Sequence, residues 1–393
     1  MTNIRVDHSL LQELDAEQLP QDECYVPASA RNTFWGVLPG RKDEPVAWIN
    51  PGDSVVIDTI SHEGIMPDQG SNPVEYFGRW GIGKDEILKD TIAIPEVKSR
   101  KTNDGSHVVT GPIAVRGAKS GDLLAVHIDK LERRAPYGVI STRHGRGVLA
   151  GSELEGDYGA LCKVIEKDGA SFGQMVPDGA DFHDPSLTDC GLPCFPLHPF
   201  LGIMGVAPDC DERLCSIPPY RFGGNIDVND MTEGSTLFLP VQVANANFYV
   251  GDPHYAQGDG EVSLTALEAP LRATLTLDVI SADIAHKTFG NCIAPFAFAR
   301  GNLLALGLDE DIDEGLRCSV SYSISLLSSL FHLPEKTLYL YMSAAADFDI
   351  SQAVDLVKGV HSRIPLSHFS NCFSNGGIQN LSAFRRSVLK SDE

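Results

Sequence analysis

The residues best suited to chemistry lie together in one short segment, Gly251–Glu261. Between its glycines the segment carries Asp252, His254, Gln257, Asp259 and Glu261. Glycine permits positive φ and a close approach of the backbone to a ligand. Residues two positions apart face the same side of an extended strand, so Asp252 and His254 can act together. A carboxylate beside an imidazole suits a metal ion or a hydrolytic water.

Two other interpretations of this segment stay open at this point. It can be a tight hairpin whose acidic residues are solvated, and its composition alone favours that interpretation. Its Asp-Gly-Glu end resembles a calcium-binding loop, although the ligand spacing of an EF-hand is absent.

A second candidate lies just upstream, in Phe222–Asp227. A Gly-Gly-Asn turn exposes backbone N–H groups that can hold a carbonyl oxygen as an oxyanion hole does, with Asn225 and Asp227 beside it. The same three residues are also common in ordinary turns. The chain has no G-x-S-x-G elbow, H-E-x-x-H motif, P-loop or dinucleotide fingerprint. Metal-assisted hydrolysis is therefore the chemistry that fits the acid–histidine segment.

The elements that must position these residues are mostly short strands. Apolar and β-branched patterns bounded by turns predict strands at 54–60, 107–115, 123–131, 236–243 and 271–280. This spacing indicates a sandwich or barrel rather than a βαβ fold. We expect the aspartate-rich segment Glu153–Leu197 to be loop-rich and to cover or connect domains. Apolar residues at helical spacing predict a helix over Ile312–Phe331, and Pro334 predicts the first position of another.

These patterns predict a mainly β chain with an α+β C-terminal part. We divide it into a β-rich domain with a loop-rich insertion, 1–215, and an α+β domain, 216–393, that carries both motifs.

The overall charge excludes two classes of partner. The chain has 31 Lys and Arg against 53 Asp and Glu, a formal net charge of −22. It therefore lacks the basic field on which nucleic-acid binding and polybasic membrane binding depend. Its N-terminus has no secretory pattern, and its apolar runs are too short to span a membrane. The nine cysteines lack zinc-ribbon spacing, which favours reduced thiols and a cytoplasmic protein.

The run Gly223–Glu268, which includes GGNID and GDPHYAQGDGE, closely resembles the core motif of the acetamidase/formamidase family. The resemblance extends to residues 107–122 and 199–208, to Trp35-Gly36 and to Ser343–Asp355. It implies a jelly-roll-like β-sandwich elaborated by an α+β part. It also implies hydrolysis of short amides to ammonia and a carboxylate, assembly into homo-oligomers and, in some members, a metal ion that is often zinc.

The sequence departs from the family's usual pattern in three places: Asn245–Phe248, the Asp-Pro-His of residues 252–254, and Tyr137–Gly151 with its Ser-Thr-Arg-His-Gly-Arg-Gly. These departures concern the substrate rather than the reaction.

We assign the site residues as hypotheses on this basis. The expected zinc ligands, a mixed nitrogen and oxygen set with one position open for water, are His107, Asp227 and His254. Glu261 is the expected general base, and Asn225 with the Gly223–Gly224 backbone is expected to hold the oxyanion. Gln257 and Asp259 are expected to bind the amide nitrogen or to orient their neighbours.

Several alternatives stay open. Asp252 or His144 can replace any one of the ligands. A cyclic amide such as a γ-lactam is an alternative substrate for the same site, and a non-catalytic module that binds calcium or a small ligand is the alternative function.

Overall fold

The computed structural model of the chain describes residues 4–15, 17–19 and 24–372. It is mostly β, with 35% strand and 20% helix, which confirms the predicted class. Its strands, in chain order, are β1 (Ile4–Val6), β2 (Cys24–Val26), β3 (Thr33–Trp35), β4 (Ala47–Ile49), β5 (Asp53–Asp58), β6 (Val108–Val115), β7 (Leu123–Arg133), β8 (Tyr137–Thr142), β9 (Tyr158–Lys167), β10 (Ala170–Met175), β11 (Cys194–Pro196), β12 (Phe200–Val206), β13 (Pro219–Tyr220), β14 (Gly223–Asn225), β15 (Thr236–Pro240), β16 (Phe248–Ala256), β17 (Leu267–Glu268), β18 (Leu271–Ile280), β19 (Phe296–Ala299), β20 (Asn302–Asp309), β21 (Asp347–Gln352) and β22 (Lys358–Pro365).

The described strands form two large sheets. One has 13 strands and contains the path β11-β10-β9-β8-β17-β16-β12-β14-β13, with β1, β3, β4 and β6 joined at its side. The other has nine strands in the order β2-β5-β18-β7-β15-β19-β20-β22-β21. Apolar side chains of both sheets share one core, in which Ile57 and Leu275 of the second sheet join Val109, Ile203 and Val250 of the first. The site residues lie on and beside the strands of the larger sheet.

The α-helices are α1 (Pro73–Gly78), α2 (Lys89–Val97), α3 (Ala282–Phe289), α4 (Ile312–Phe331) and α5 (Glu335–Ala345). Helix α4 has the predicted bounds: Asp311 caps its start by accepting from the N–H of Asp313, and His332 ends it in the left-handed conformation. Pro334 is the N-cap of α5 rather than its first residue. The apolar faces of α3, α4 and α5 pack with β19, β20 and β22 in a second core.

The prediction that Glu153–Leu197 is loop-rich agrees with residues 153–157 and 176–193, which contain no strand, but it missed β9, β10 and β11. Leu161–Ile165 of β9 are buried and paired with β8 and β10, so tertiary packing outweighs the aspartate-rich and glycine-rich flanks. The division at residue 215 stays a prediction, and residues 373–393 of its second part lie outside the described residues. Strands from both sides of residue 215 occur in each sheet.

No helix of the described residues is long and apolar enough to cross a membrane.

Candidate active site

A buried cluster of acidic and histidine side chains forms where several distant segments meet beside β16. The strand itself supplies Asp252 and His254, and the loop that follows it supplies Glu261. The remaining members are His62 in the loop after β5, His107 directly before β6, Asp227 in the turn after β14, Glu268 in β17 and Asp355 in the segment after β21. All eight are at most 7% exposed.

Asp252 is the residue that connects the cluster. Its Oδ2 lies 3.2 Å from Nε2 of His254 and 3.7 Å from Nε2 of His107. Its Oδ1 lies 3.7 Å from Nδ1 of His62. On the far side, Nε2 of His254 lies 3.1 Å from Oε1 of Glu268. Asp252 and His254 therefore act as neighbours, as their spacing of two residues predicts.

The donor atoms of this cluster fit a divalent cation. Two overlapping groups, His62–His107–Asp252 and Asp227–Asp252–His254, each offer donor atoms within 4.8 Å of one another. Oδ1 of Asp252, both carboxylate oxygens of Asp227 and Nδ1 of His254 are buried without a hydrogen-bond partner. Buried polar atoms in folded proteins are normally paired, so this concentration of unpaired ones indicates a ligand. Imidazole and carboxylate are donors that zinc accepts.

Gly202 of β12 leaves the space that such an ion needs. A Cβ at this position would collide with the carboxylate oxygens of Asp227 and Asp252 and with the ring of His254. The sequence therefore keeps the centre of the cluster free of side-chain carbon, which is consistent with an ion or a water at that place.

The tautomer of His107 is set by its surroundings. Its Nδ1 lies 3.1 Å from both the backbone oxygen and Oγ of Ser216; because the backbone oxygen can only accept a hydrogen bond, we assign the proton to Nδ1. Its Nε2 then presents a lone pair towards Asp252. This arrangement, in which the second ring nitrogen is held by a carbonyl, is the usual one for a metal-binding histidine.

Burial and neighbouring charges give the ionisable groups of the cluster different pKa values. Burial and the neighbouring Asp252 raise the pKa of Asp227 to about 7, and burial with Asp227 nearby raises the pKa of Glu261 well above its usual value. Burial also opposes charge on Asp252, but His107 and His254 outweigh it and hold the pKa of this carboxyl well below its usual value. Burial lowers the pKa of His107 to about 4. The site thus combines an ionised carboxylate, a neutral imidazole and carboxyl groups that can carry a proton near neutral pH.

A cavity of about 450 Å³ opens onto one side of the cluster. The members of the cluster that line it are His62, His107, Asp252, Glu261, Glu268 and Asp355. Asn225 lines it too, whereas Asp227 and His254 are buried next to these residues without lining the cavity. A ligand in the cavity therefore meets the His62–His107–Asp252 group first.

The predicted residues fall in different parts of this arrangement. His107, Asp227, His254 and Glu261 are in the cluster, although the three predicted zinc ligands are divided between the two donor groups rather than forming one. The side-chain amide of Asn225 donates to Asp355 at 2.8 Å and to the Ile217 carbonyl at 3.1 Å. Because both of its N–H bonds are used in this way, the geometry weighs against Asn225 as an oxyanion donor.

Gln257 and Asp259 lie on the other side of the loop that carries Glu261. They line a second cavity of about 740 Å³, which Glu261 also lines. Gln257 donates to the backbone oxygens of Asp227 and Ser351, and Asp259 accepts from Arg363 at 2.8 Å. In this geometry Gln257 positions Asp227. The alternative ligand His144 is exposed at the cavity mouth, 3.5 Å from Asp68, and is outside the cluster.

Sequence reasoning missed three residues of the cluster, His62, Glu268 and Asp355, and also Glu63, whose Oε1 lies 3.6 Å from Nε2 of His62. Glu268 and Asp355 are the last residues of two segments that carry the family resemblance, Gly223–Glu268 and Ser343–Asp355. Their place in those segments could have identified them as candidates. His62 and Glu63 are adjacent to a glycine in the sequence His-Glu-Gly and lie in a loop. Nothing in the local pattern of that loop separates a site residue from a solvated one.

Together the fold and the site define a mostly β protein with a buried, metal-compatible carboxylate–histidine centre. Residues 210–370 match the profile of the Acetamidase/Formamidase family, which confirms the resemblance found in the sequence.

Individual relatives agree with this match. An acetamidase of Mycolicibacterium smegmatis is 28% identical over 212 residues, which are 40% of this chain and 49% of that protein. A formamidase of Methylophilus methylotrophus is 42% identical over 198 residues, which are 40% of this chain and 47% of that protein. The chain thus spans about half the length of the curated relatives it matches. The crystal structure of an acetamidase from Bacillus halodurans superimposes with a TM-score of 0.66 at 24% identity, covering 88% of this chain and 99% of that one, and shows a shared fold.

Proposed function

We propose that this chain hydrolyses short linear amides of the formamide and acetamide kind. Water adds to the carbonyl carbon, the carbon–nitrogen bond breaks, and ammonia and a carboxylate leave. The observation that carries this proposal is an open cavity lined by carboxylates and imidazoles whose buried donor atoms are unpaired. The relatives named above are an acetamidase and a formamidase by name, which supports the same substrates.

We propose zinc as the resident metal, held by His62, His107 and Asp252. This set keeps the predicted ligand His107 and adds His62 and Asp252. All three belong to one donor group and line the cavity. Asp227 and His254 form the second group and share Asp252 with the first. A zinc ion held here would supply positive charge beside the substrate carbonyl and the attacking water.

Glu261 is the proposed base. It lines the cavity, and its carboxylate lies in donor groups with His254 and Glu268 and with Asp227 and Asp355. A carboxyl with a raised pKa is suited to accept a proton from the attacking water and to return it to the leaving nitrogen, because its pKa is closer to the working pH. Asn225 and Gln257 hold Asp355 and the Asp227 backbone in position.

We extend the proposal to the type of β-fold, the assembly and the location of the protein. The two-sheet body is proposed to be the jelly-roll-like sandwich expected of this family, and the protein is proposed to be a cytoplasmic homo-oligomer without nucleic-acid or membrane partners. The nine cysteines, all described and all free, support a reducing compartment.

The test measures ammonia release and metal content together. Protein dialysed against a chelator is assayed on formamide and acetamide with and without added zinc, beside an Asp252→Asn variant. We expect added zinc to restore both metal content and ammonia release in the parent chain, and to restore neither in the variant. Asp283→Asn on the exposed start of α3 is the matched control for the lost charge. Failure of the parent chain to release ammonia from any short amide, in the presence of bound zinc, contradicts the proposal.

A further inference from the structure

The cavity that opens onto the cluster is also lined by three guanidinium groups, those of Arg100, Arg143 and Arg146. Arg143 is next to the cluster, because Oε1 of Glu63 lies 2.7 Å from its Nη2 and 3.6 Å from Nε2 of His62. The chain as a whole carries a formal charge of −22, so three cations around one opening are unusual for its surface. Outside the cluster, the cavity is lined by two carboxylates, Asp68 and Asp104, which the three guanidinium groups outnumber.

Arg143 is the buried member of this set. It is 4% exposed, and its Nη2 donates to Oε1 of Glu63 at 2.7 Å. Its Nη1 is buried without a hydrogen-bond partner and lies 3.7 Å from Oδ2 of Asp68, beyond hydrogen-bond distance. A buried guanidinium with one arm satisfied and the other unpaired is costly, and an anion in the cavity would satisfy the second arm.

The other two arginines keep their charge available to the cavity. Arg100 donates to the backbone oxygens of Asp104 and Gly105 and to the sulfur of Met66, so the side chain is held in place without a hydrogen bond to a carboxylate. Arg146 is exposed, and no side-chain partner of it is found among the described residues.

We infer that the substrate of this site is an amide that carries a carboxylate at its other end. The amide carbon would lie beside His62, His107 and Asp252, and the carboxylate would lie beside Arg143 and Arg146, which line the same cavity. A planar carboxylate matches the fork of a guanidinium, which a neutral acyl chain does not. The cavity volume of about 450 Å³ also exceeds the needs of formamide or acetamide, since pockets of roughly 300–1,000 Å³ serve much larger ligands. This inference rests on the proposed amide hydrolysis and names its substrate class.

The experiment compares two substrates of equal size that differ in charge. Succinamate carries a carboxylate where succinamide carries a second amide. For the zinc-loaded parent chain at low salt we expect kcat/KM to be about 10- to 100-fold higher for succinamate, the range expected for a charge-assisted hydrogen-bonded pair. A ratio near one, or a preference for succinamide, overturns the inference and leaves the proposed hydrolysis standing.

Two substitutions locate the preference. Arg146→Gln removes an exposed charge at the mouth, and Arg143→Lys keeps a charge beside Glu63 but cannot serve two partners with one planar group. We expect the ratio of the two kcat/KM values to fall towards one in each variant. Arg317→Gln on the exposed face of α4 is the matched control, in which the ratio should equal that of the parent chain. An unchanged ratio in Arg146→Gln contradicts the inference even if Arg143→Lys does not fold.

A binding measurement separates the two proposals. If neither amide is hydrolysed by the zinc-loaded protein, the proposed function fails, and calorimetric titration with succinamate then decides the inference alone. Binding that is at least tenfold weaker in Arg146→Gln than in the parent chain supports an anion subsite. Equal binding in the two proteins, or no binding in the parent chain, overturns it.

Discussion

Three of the buried acidic residues have a backbone φ angle in the left-handed region. Asp227, Asp252 and Glu261 have φ of 46°, 50° and 45°. Each such conformation in a residue other than glycine costs on the order of 1–3 kcal/mol and persists only where the surroundings enforce it. All three lie in one cluster, so the surrounding structure stabilises an unfavourable backbone conformation that directs these carboxylates towards a common point. Such strain is typical of a functional site.

The role of Glu261 is tested by removing its basicity while keeping its shape. We expect Glu261→Gln to lower kcat by about 10²- to 10⁴-fold, the usual contribution of a general base, with zinc content unchanged. Steady-state ammonia release and elemental analysis are measured on the same preparation. The exposed Glu335→Gln at the start of α5 is the control. A near-normal kcat makes Glu261 structural, and a loss of zinc makes it a ligand instead.

A second residue-scale prediction concerns the buried His361 of β22, away from the cluster. Its Nδ1 lies 2.8 Å from Oγ of Ser351, and burial lowers its pKa to about 4. An unfolded histidine titrates near pH 6.5, so between these values the unfolded chain binds more protons, and stability falls as the pH falls. The contribution is fully present above about pH 6.5.

We expect this histidine alone to lower the free energy of unfolding by about 2 kcal/mol between pH 8 and pH 5. Urea unfolding of the parent chain and of His361→Gln at both pH values measures it. The variant should lose less stability on acidification by that amount. Parallel losses in the parent chain and His361→Gln would show that His361 is not the group responsible.

At the scale of residues, the sequence predicts the part of the site that is local. Asp252, His254 and Glu261 occur within ten positions, so glycine spacing and strand periodicity could indicate them. Glu268 is brought into the cluster by the pairing of β17 with β16, and His62 by the packing of the loop after β5, a strand of the other sheet. No local pattern encodes either contact, and the arginines of the cavity depend on the same tertiary assembly.

At the scale of elements, the closest contact in the α+β part is between α4 and β20. A Cβ on Gly307 of β20 would be closer to the Gly315 carbonyl and the Ser319 backbone of α4 than real Cβ atoms come. Ser319 also donates its hydroxyl to the carbonyl of Ala305 at 2.8 Å. The helix thus lies directly on the strand because glycine occurs on both sides of the contact.

We therefore expect Gly307→Ala to separate α4 from β20 and to lower the free energy of unfolding by about 1–3 kcal/mol, the usual cost of overpacking. Chemical denaturation measures the change. Gly78→Ala at the end of α1 is the control, because a Cβ there meets nothing within 4 Å. Equal stability of Gly307→Ala and the parent chain would mean that the contact relaxes without cost.

The elements that sequence patterns predict well are those whose apolar residues dominate locally. Strand β18 has the predicted bounds, Leu271–Ile280, and helix α4 has them as well. Strands β9 and β10 were missed because aspartate and glycine in their flanks predict turns, and their strand character comes from pairing with β8 and with each other. The order of strands in the sheets was not predictable from local patterns.

At the scale of the whole molecule, strand pairing joins the two segments that the sequence divides at residue 215. Strand β18 lies between β5 and β7, and both of these partners belong to the first segment. Strand β16 likewise pairs with β6 and β12 of that segment. Isolation of residues 216–393 would therefore leave both edges of β18 unpaired and expose the apolar core that the sheets share.

We expect the fragments 1–215 and 216–393, produced separately, to lack a cooperative thermal transition, whereas the full chain should show one. Near-ultraviolet circular dichroism through a temperature ramp distinguishes these outcomes, since fixed aromatic packing is lost when the core cannot form. A third variant lacks only residues 373–393 and keeps every strand of the two sheets described above, and it should melt as the full chain does. A cooperative transition in the isolated 216–393 fragment would establish two independent domains, and the site would then be assembled between folded units rather than within one.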